Sequence, residues 1–156
     1  MEVIERSIEV QRPISQVYGQ WTQFEEFPRF MENVEEVQQL DDTNLRWVAQ
    51  IAGKRREWNA KIVRQRPDQE IAWTGFPEPE HAGVVRFQQV EPTRTRVDVE
   101  IAIEPQGAAE KLGTKLGLVG GAIEGDLERF REFIESRSSA TGAWQGRVEA
   151  GRPVDR

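Results

Sequence analysis

Apolar side chains recur at intervals of three and four residues near the carboxyl end of the chain. The recurring positions are Leu112, Leu116, Val119, Ile123, Leu127, Phe130 and Ile134. This spacing places them on one stripe of a helix, and it predicts a long helix over residues 108–137. A helix with a single apolar stripe needs an apolar surface to cover, so the rest of the chain is expected to supply a sheet.

The chain before this helix alternates between apolar and polar residues, as strands with one buried face do. The alternation runs through residues 2–10 and resumes from Val34 to residue 103, with turn residues at 41–43, 52–54, 66–69 and 91–94. Between these segments, Pro13 and the pair Thr22 and Glu25 mark the starts of two short helices. The pattern predicts an α+β fold: a seven-stranded antiparallel curved sheet wrapped around a long C-terminal helix, with two short helices between strands 1 and 2.

The same alternation predicts which side chains face the helix. The inward positions of the strands include Trp47, Trp58, Trp73, Val85, Phe87 and Val99. Three indoles opposite a glycine-bearing helix favour the wall of a pocket, although plain core packing would also accommodate them. We therefore predict that these side chains bind an apolar ligand together with four residues of the helix, Leu116, Val119, Gly120 and Ile123.

Glycines interrupt the helical pattern, at a cost of roughly 1 kcal/mol each relative to Ala. They are Gly113, Gly117, Gly120, Gly121 and Gly125. One interpretation is that a ligand or a strand approaches the helix backbone closely along Gly113, Gly117 and Gly120. The other, compatible with the first, is that the helix breaks near Gly120 and Gly121 and that Asp126 caps its second piece.

Few residues in the sequence are suited to catalysis. There is no Ser/His/Asp or Cys/His set, no H-x-x-x-H spacing and no glycine-rich phosphate loop, so we predict no metal site and no cofactor. His81 is interpreted as a solvated residue of a proline-rich loop, with a general base as the alternative. The candidate catalytic residues are Tyr18 and Asp126, the latter as a pocket carboxylate. Arg6 is either a pocket cation or a strand-end side chain that reaches solvent.

Aromatic residues crowd the second short helical segment, between residues 24 and 31. In one interpretation the two short helices plug one end of the sheet. In the other, Phe27, Phe30 and Met31 form a mobile apolar gate at the mouth of a pocket.

Composition and charge restrict the partners. The 156 residues include no cysteine and carry a formal net charge of −6, so we expect no disulfide framework, no nucleic-acid binding and no stable membrane insertion. The amino terminus lacks the basic region of a signal peptide, which predicts a cytoplasmic protein. We expect one ligand-binding domain over residues 1–137 and a flexible, disordered tail over residues 138–156, in which Trp144 could act as an anchor.

Several segments of the chain carry a family resemblance. They are I-E-V-Q-R-P-I-S-Q-V-Y at 8–18, F-E-E-F-P-R-F-M at 24–31, W-N-A-K-I at 58–62, I-A-W at 71–73, G-V-V-R-F at 83–87, T-R-V at 95–97 and the helix at 127–135. Through them, residues 2–137 resemble the START-like, or SRPBCC, superfamily, and more narrowly its polyketide cyclase/dehydrase branch, which also holds coenzyme Q-binding proteins. The resemblance implies a helix-grip fold with a deep apolar cavity between the sheet and the long helix.

The resemblance does not imply a single reaction, because its members include cyclases as well as lipid and quinone carriers. Together with the apolar inward positions, it favours binding of a hydrophobic small molecule, such as a lipid, a quinone or a polyketide-like compound, in an internal cavity. An aromatic polyketide cyclase/dehydratase is the alternative, since a shaped cavity can fold a reactive chain. A third interpretation is an interaction module that docks on a larger assembly through an exposed aromatic patch at residues 24–31 or Trp144, and the sequence does not identify a protein partner.

Overall fold

The computed structural model describes residues 2–51, 54–76, 81–103 and 109–154, with side chains except at 2, 51, 54, 76, 103 and 109–119. The strands and helices, in chain order, are β1 Glu2–Val10, α1 Ile14–Trp21, a 3₁₀ helix Phe24–Arg29, β2 Val34–Gln39, β3 Asn44–Ile51, β4 Lys54–Arg66, β5 Glu70–Phe76, β6 His81–Glu91, β7 Arg94–Ile103, α2 Ala109–Glu135, β8 Arg147–Glu149 and β9 Arg152–Val154.

One antiparallel sheet carries all of these strands. Its main path has the order β1-β7-β6-β5-β4-β3-β2, so the first two strands of the chain form its two edges. Register shifts in β2, β4 and β6 mark bulges, which bend a sheet. The predicted fold class is confirmed. The described residues, however, form nine strands instead of seven, because β8 and β9 come from the tail.

Helix α2 lies along β1 and runs parallel to it. Near its middle, Gly120 lies beside Ile4 and Arg6, and at its end the Glu135 carboxylate accepts a hydrogen bond of 2.8 Å from the backbone N–H of Gln11. The helix is continuous from residue 109 to residue 135, so it does not break at Gly120 and Gly121.

The two ends of the inward face differ in what covers them. At one end, which we call the α1 end, α1 packs against β6 and β7. Its core is aromatic, with ring centroids of Trp21 and Phe30 at 5.2 and 5.1 Å from that of Phe130 on α2. The opposite end, which we call the far end, contains Ile4, Trp58 and Gly83, and Gly120 of α2 lies beside Ile4 there.

The tail packs against the body, contrary to the expectation of disorder after residue 137. The Gln20 side chain, fully buried in α1, exchanges two hydrogen bonds with Thr141, at 3.0 and 2.9 Å. The backbone N–H of Trp144 donates to the Thr22 hydroxyl at 3.1 Å. Strand β8 then pairs with β4 at Val148 and Gln65, and Val148 is fully buried.

The position of β8 follows from the lengths of the strands beside it. Strand β3 begins at Asn44, opposite Lys61, and therefore leaves the last residues of β4 without a neighbour on that side. The tail fills this corner as a hairpin whose turn residues, Ala150 and Gly151, have positive φ angles of 51° and 75°. Those angles are typical of the type I′ turn that joins short hairpins. The sequence conceals this hairpin because its strands are short and its turn lacks the usual Asn or Asp.

The tail hairpin provides a matched pair of valines for testing this packing. We expect Val148→Ala to lower the free energy of unfolding by about 2 kcal/mol, since the cavity it leaves lies in the core. Val154→Ala is the control, because Val154 on β9 is 41% exposed and should change stability by less than about 0.5 kcal/mol. Urea unfolding of the two variants measures the difference, and equal stability would mean that the tail does not dock.

Candidate functional site

The far end of the inward face carries a wall of aromatic side chains. Trp47 on β3 and Trp58 on β4 are direct cross-strand partners. Their rings are stacked, with centroids 5.9 Å apart and planes 6° from parallel. Phe27 of the 3₁₀ helix joins this wall to the aromatic core of the α1 end, with its ring 5.6 Å from that of Trp47 and 5.4 Å from that of Trp21.

Trp73 on β5 lies flat against the neighbouring strand because Gly83 faces it there. The two residues are register partners, and a Cβ placed on Gly83 would lie less than 3.0 Å from three atoms of the indole ring. An indole that lies along the sheet adds apolar area to the wall without projecting across the interior. Gly83 is therefore required for the shape of this surface.

His81 also belongs to this wall, and its interpretation as a solvated loop residue is wrong. It is the first residue of β6 and shares the inward face with Gly83 and Val85. Its ring meets that of Trp58 edge-on, at 5.6 Å and 86°. The strand between them carries Gly75, and the lack of a side chain there lets the two rings meet across it.

Burial along the inward face changes between the two ends of the sheet. Toward the α1 end, the inward side chains are sealed at 0–2% exposure; they are Ala60, Ile62, Ile71, Val85 and Val97. Nearer the far end, Ile4 and Gly75 are buried, but four inward residues are only partly buried; they are Trp58, Trp73, Gly83 and Ile101. The interior is therefore packed closed at one end and accessible at the other.

The residues predicted to bind ligand fall into two groups, one partly buried and one buried in the core. Trp47, Trp58 and Trp73 lie on the accessible wall, and Ile123 of α2 is partly buried against the same core. Val85, Phe87 and Val99 lie in the sealed core, where Phe87 packs edge-on to Tyr18 at 5.3 Å. The side chains of Leu116 and Val119 lie outside the described residues. A ligand role for all of these residues stays a prediction.

The residues predicted at a pocket mouth are divided in the same way. Phe27 and Phe30 are buried, and Met31 packs partly buried against the core. Phe30 contacts Phe130 and Phe133 of α2, so this segment fills space between the helix and the sheet. The plug interpretation fits this packing, and a gate stays a prediction.

Gly120 and Arg6 meet where α2 crosses β1. A Cβ on Gly120 would lie 2.5 Å from a guanidinium nitrogen of Arg6, so the close approach expected at this glycine is made by β1. Arg6 Nε then lies 2.6 Å from an Oε atom of Glu124, with the arginine side chain 36% exposed. This geometry is that of a strand-end side chain reaching solvent.

Asp126 lies away from the aromatic wall. Its carboxylate accepts a hydrogen bond from the backbone N–H of Glu32 at 3.2 Å and contacts the Arg129 guanidinium at 2.5 Å. Burial raises the pKa of this carboxyl, and Arg129 opposes the rise. Because α2 is unbroken, Asp126 does not cap a helix; it ties the segment after the 3₁₀ helix to α2.

Tyr18 is buried at the α1 end, on the far side of the sealed core from the aromatic wall. Its hydroxyl has no fully formed hydrogen bond among the described residues, although Gln65 approaches it. Burial, reinforced by the Asp68 carboxylate, raises the pKa of Tyr18 to about 12, with Gln65 and Arg147 opposing the shift.

The wall residues that sequence reasoning missed are His81 and Gly83. A signal for each was present, because His81 and Gly83 continue the odd-numbered inward series of Val85 and Phe87. A glycine inside a strand also marks close approach by another group. The prolines at 77 and 79 instead favoured a loop that extended to His81.

The titration of Tyr18 can be observed directly, since it is the single tyrosine of the chain. Its folded pKa of about 12 exceeds the ordinary value of 10.0, so its contribution to stability is fully present below pH 10 and is lost as the pH rises through 12. We expect tyrosinate absorbance in the folded protein only near pH 12. We also expect Tyr18→Phe to remove part of the stability loss above pH 10, and a folded-state midpoint near 10 would contradict burial of the hydroxyl.

We expect replacement by alanine to have opposite effects on stability at Gly83 and at Gly121. Gly83→Ala forces the Trp73 indole off the sheet and should destabilise by about 1–3 kcal/mol, with altered tryptophan fluorescence. Gly121→Ala is the control, because a Cβ there meets nothing within 4 Å and a helical alanine should stabilise by up to about 1 kcal/mol. Thermal unfolding of both variants checks the pair, and a neutral Gly83→Ala would show that Trp73 does not lie flat.

Among the described residues, no group of three or more His, Cys, Asp or Glu side chains is placed to hold a metal ion. Within the same part of the chain, no helix combines the length and apolarity needed to cross a bilayer.

Comparison with known proteins identifies relatives that share this architecture. An uncharacterized 17.2 kDa protein of Streptomyces lincolnensis is 45% identical over 149 residues, which is 95% of this chain and 99% of the relative. A START superfamily protein from Mycobacterium smegmatis superposes with a TM-score of 0.75 at 14% identity, over 86% of this chain and 97% of its own. The Zhui aromatase/cyclase from Streptomyces sp. R1128 gives 0.73 at 16% identity, over 92% and 99%.

The family model described as polyketide cyclase / dehydrase and lipid transport matches residues 10–132, which include the aromatic wall and the greater part of α2. The fold, the relatives and this match agree. The chain belongs to the polyketide cyclase/dehydrase and lipid-transport family and has its START-like fold.

Proposed function

We propose that the protein binds a hydrophobic small molecule between the far end of the sheet and the amino-terminal half of α2. The observation that carries this proposal is the burial gradient along one face. Ile62, Ile71, Val85 and Val97 are sealed, whereas Trp58, Trp73 and Ile101 on the same face keep access to solvent. Large apolar side chains that stay partly exposed on a folded protein mark a surface that another apolar molecule can cover.

The chemistry of the wall supports an apolar ligand. Indole rings, Ile101 and two glycines dominate it, and each square ångström of apolar surface removed from water contributes about 25 cal/mol. The indole of Trp73 lies along the sheet, and the rings of Trp47 and Trp58 stack on each other, so none of the three needs to project across the interior. A lipid, a quinone or a polyketide-like compound meets this description.

The relatives support the same class of ligand. The family description names lipid transport, and one structural neighbour is an aromatase/cyclase. At 16% identity that neighbour is evidence for the fold alone, so the ligand class rests on the wall itself.

An aromatic polyketide cyclase/dehydratase is the second candidate, and one observation favours it. His81 places a titratable ring on the inward face, edge-on to Trp58, where a bound polyketide chain would lie. An imidazole in that position could assist enolisation as a general acid or base. Tyr18 and Asp126 lie too deep or on another surface to share this role.

The interaction-module interpretation is weaker on the described surface. Phe24, Phe27 and Phe30 are buried, and Trp144 packs partly buried against the core. The aromatic patch that this interpretation placed at residues 24–31 is therefore turned inward. A cytoplasmic location stays a prediction.

Native mass spectrometry of freshly purified protein, followed by titration with anilinonaphthalene sulfonate, tests binding. We expect Ile101→Asn to weaken dye binding about tenfold, because an unpaired amide against an apolar guest costs about 1–3 kcal/mol. Ile8→Asn is the matched control, since Ile8 is also partly buried against the core but lies toward the α1 end on β1. Equal losses in both variants, or no dye binding, would reject the proposal.

The same assays separate the two candidates. If the protein is a carrier, His81→Gln keeps dye binding and no turnover of a poly-β-ketone chain is seen in either form. If it is a cyclase, His81→Gln abolishes turnover while dye binding persists.

A further inference from the structure

The outer edge of β1 presents backbone hydrogen-bonding groups that no strand among the described residues occupies. The direction of these groups follows from one bond: the Phe87 N–H donates to the Gln69 carbonyl on the β5 side at 2.9 Å. Backbone groups of successive strand residues alternate in direction, so even-numbered residues of β6 face β7. Gln88 pairs with Arg96, so even-numbered residues of β7 bond to β6 and odd-numbered residues of β7 face β1. Because Ile8 pairs with the odd-numbered Val97, even-numbered residues of β1 bond to β7.

The odd-numbered residues of β1 therefore direct their N–H and C=O groups away from the sheet. A contact at Glu5 agrees with this deduction, because its carbonyl accepts a hydrogen bond of 2.7 Å from the Arg6 guanidinium. Ser7 and Glu9 follow along the same open edge, and β1 is the terminal strand of the sheet. At the opposite edge, by contrast, the Gln39 N–H on β2 is taken by the Glu25 carboxylate at 3.2 Å.

A groove of about 420 Å³ runs between this open edge and α2. Ile8 and Leu127 supply its apolar surface, and Gly121 and Gly125 keep the helix side low. A Cβ on Gly121 would meet nothing within 4 Å, so the helix leaves room there. The groove thus offers space for the side chains that an added strand would direct toward α2.

The charges around the edge favour a basic occupant. Glu5 lies directly opposite Glu100 in the β1–β7 register, and like charges in that position repel each other. Glu100 is neutralised by Arg86 at 3.2 Å, whereas Glu5 has no ion pair among the described residues. On the helix side, Glu124 and Glu128 border the groove with side chains 62% and 54% exposed, and each is paired with an arginine, Arg6 and Arg131, so Glu5 carries the charge argument.

A second copy of the chain suits this edge less well. If two β1 strands paired antiparallel about Ser7, Glu5 of each copy would lie opposite Glu9 of the other. Arg94 lies 3.5 Å from Glu9 but also pairs with Glu91 at 2.5 Å, so each Glu5–Glu9 pair would still bring excess negative charge together. A strand with cations at alternate positions instead places a positive charge beside Glu5.

We propose that the β1 edge binds an extended basic segment of a partner protein as an additional strand. Its Lys or Arg side chains lie beside Glu5 and Glu9 on the outer face, and its alternate apolar side chains enter the groove over Ile8 and Leu127. Main-chain hydrogen bonds to Ser7 and Glu9 supply affinity, and the carboxylates select the sequence. The surface is separate from the aromatic wall, so this inference does not depend on the proposed ligand.

The test uses the full chain and a short fluorescein-labelled peptide in which Lys alternates with Val. We expect binding by fluorescence anisotropy, new hydrogen-exchange protection at the Ser7 and Glu9 amides, and no binding of the counterpart with Glu in place of Lys. Ser7→Pro should weaken binding at least about tenfold while the protein stays folded, because the Ser7 N–H makes no bond within the sheet.

A charge variant keeps the test decisive if Ser7→Pro does not fold. Glu5→Arg should weaken binding about fivefold, since a cross-strand charge pair is worth about 0.2–1 kcal/mol. Glu36→Arg on β2 is the matched control, because it makes the same charge change at the opposite edge and should leave affinity within about twofold. Equal loss in both charge variants, equal binding of the acidic peptide, or self-association that Ser7→Pro abolishes would overturn the proposal.

Discussion

The contact between the carboxyl-terminal half of α2 and the aromatic residues of the two short helices fixes the rest of the inward face. Trp21, Phe30 and Phe130 meet there at centroid distances of 5.1–6.2 Å, and Ile134 is fully buried beside them. Because this packing anchors α2 at one end, the helix extends over the remaining face from a fixed point. Inward side chains such as Ile62 and Val85 are sealed, whereas Trp58 and Trp73 are only partly buried.

Glycines complete this division of the sheet. Gly83 allows Trp73 to lie along the strand, and Gly75 lets Trp58 reach His81. On the helix, Gly120 lets Arg6 cross to Glu124, so that α2 approaches β1 closely at that point. Small residues therefore bring elements together at the sheet margin and keep bulk out of the space in front of the wall. Both effects depend on positions that lack a side chain, and the pattern of buried and exposed residues does not identify those positions.

The parts of the structure that were predictable are those with a long periodic signal. The alternation of two residues fixed the inward register of Trp47, Trp58 and Trp73, and the helical spacing identified α2. Features that break a period were not predictable. The bulge in β4 after Ile62 shifts the register, so that Gln65 becomes buried while Arg64 and Arg66 face outward. The tail was missed because Val148 and Trp144 give too few apolar positions to form a pattern, and its docking corner exists only after β3 and β4 have paired.

The central claim is that the interior is open at the far end and closed at the α1 end, and the five tryptophans report on both. The most direct measurement is fluorine NMR of protein labelled with fluorotryptophan, during titration with palmitate and, separately, with a naphthoquinone. The account predicts that at least one of these probes shifts the resonances of Trp58 and Trp73 while those of Trp21 and Trp144 stay in place. Shifts confined to Trp21 or Trp144, or no shift with either probe, would contradict it.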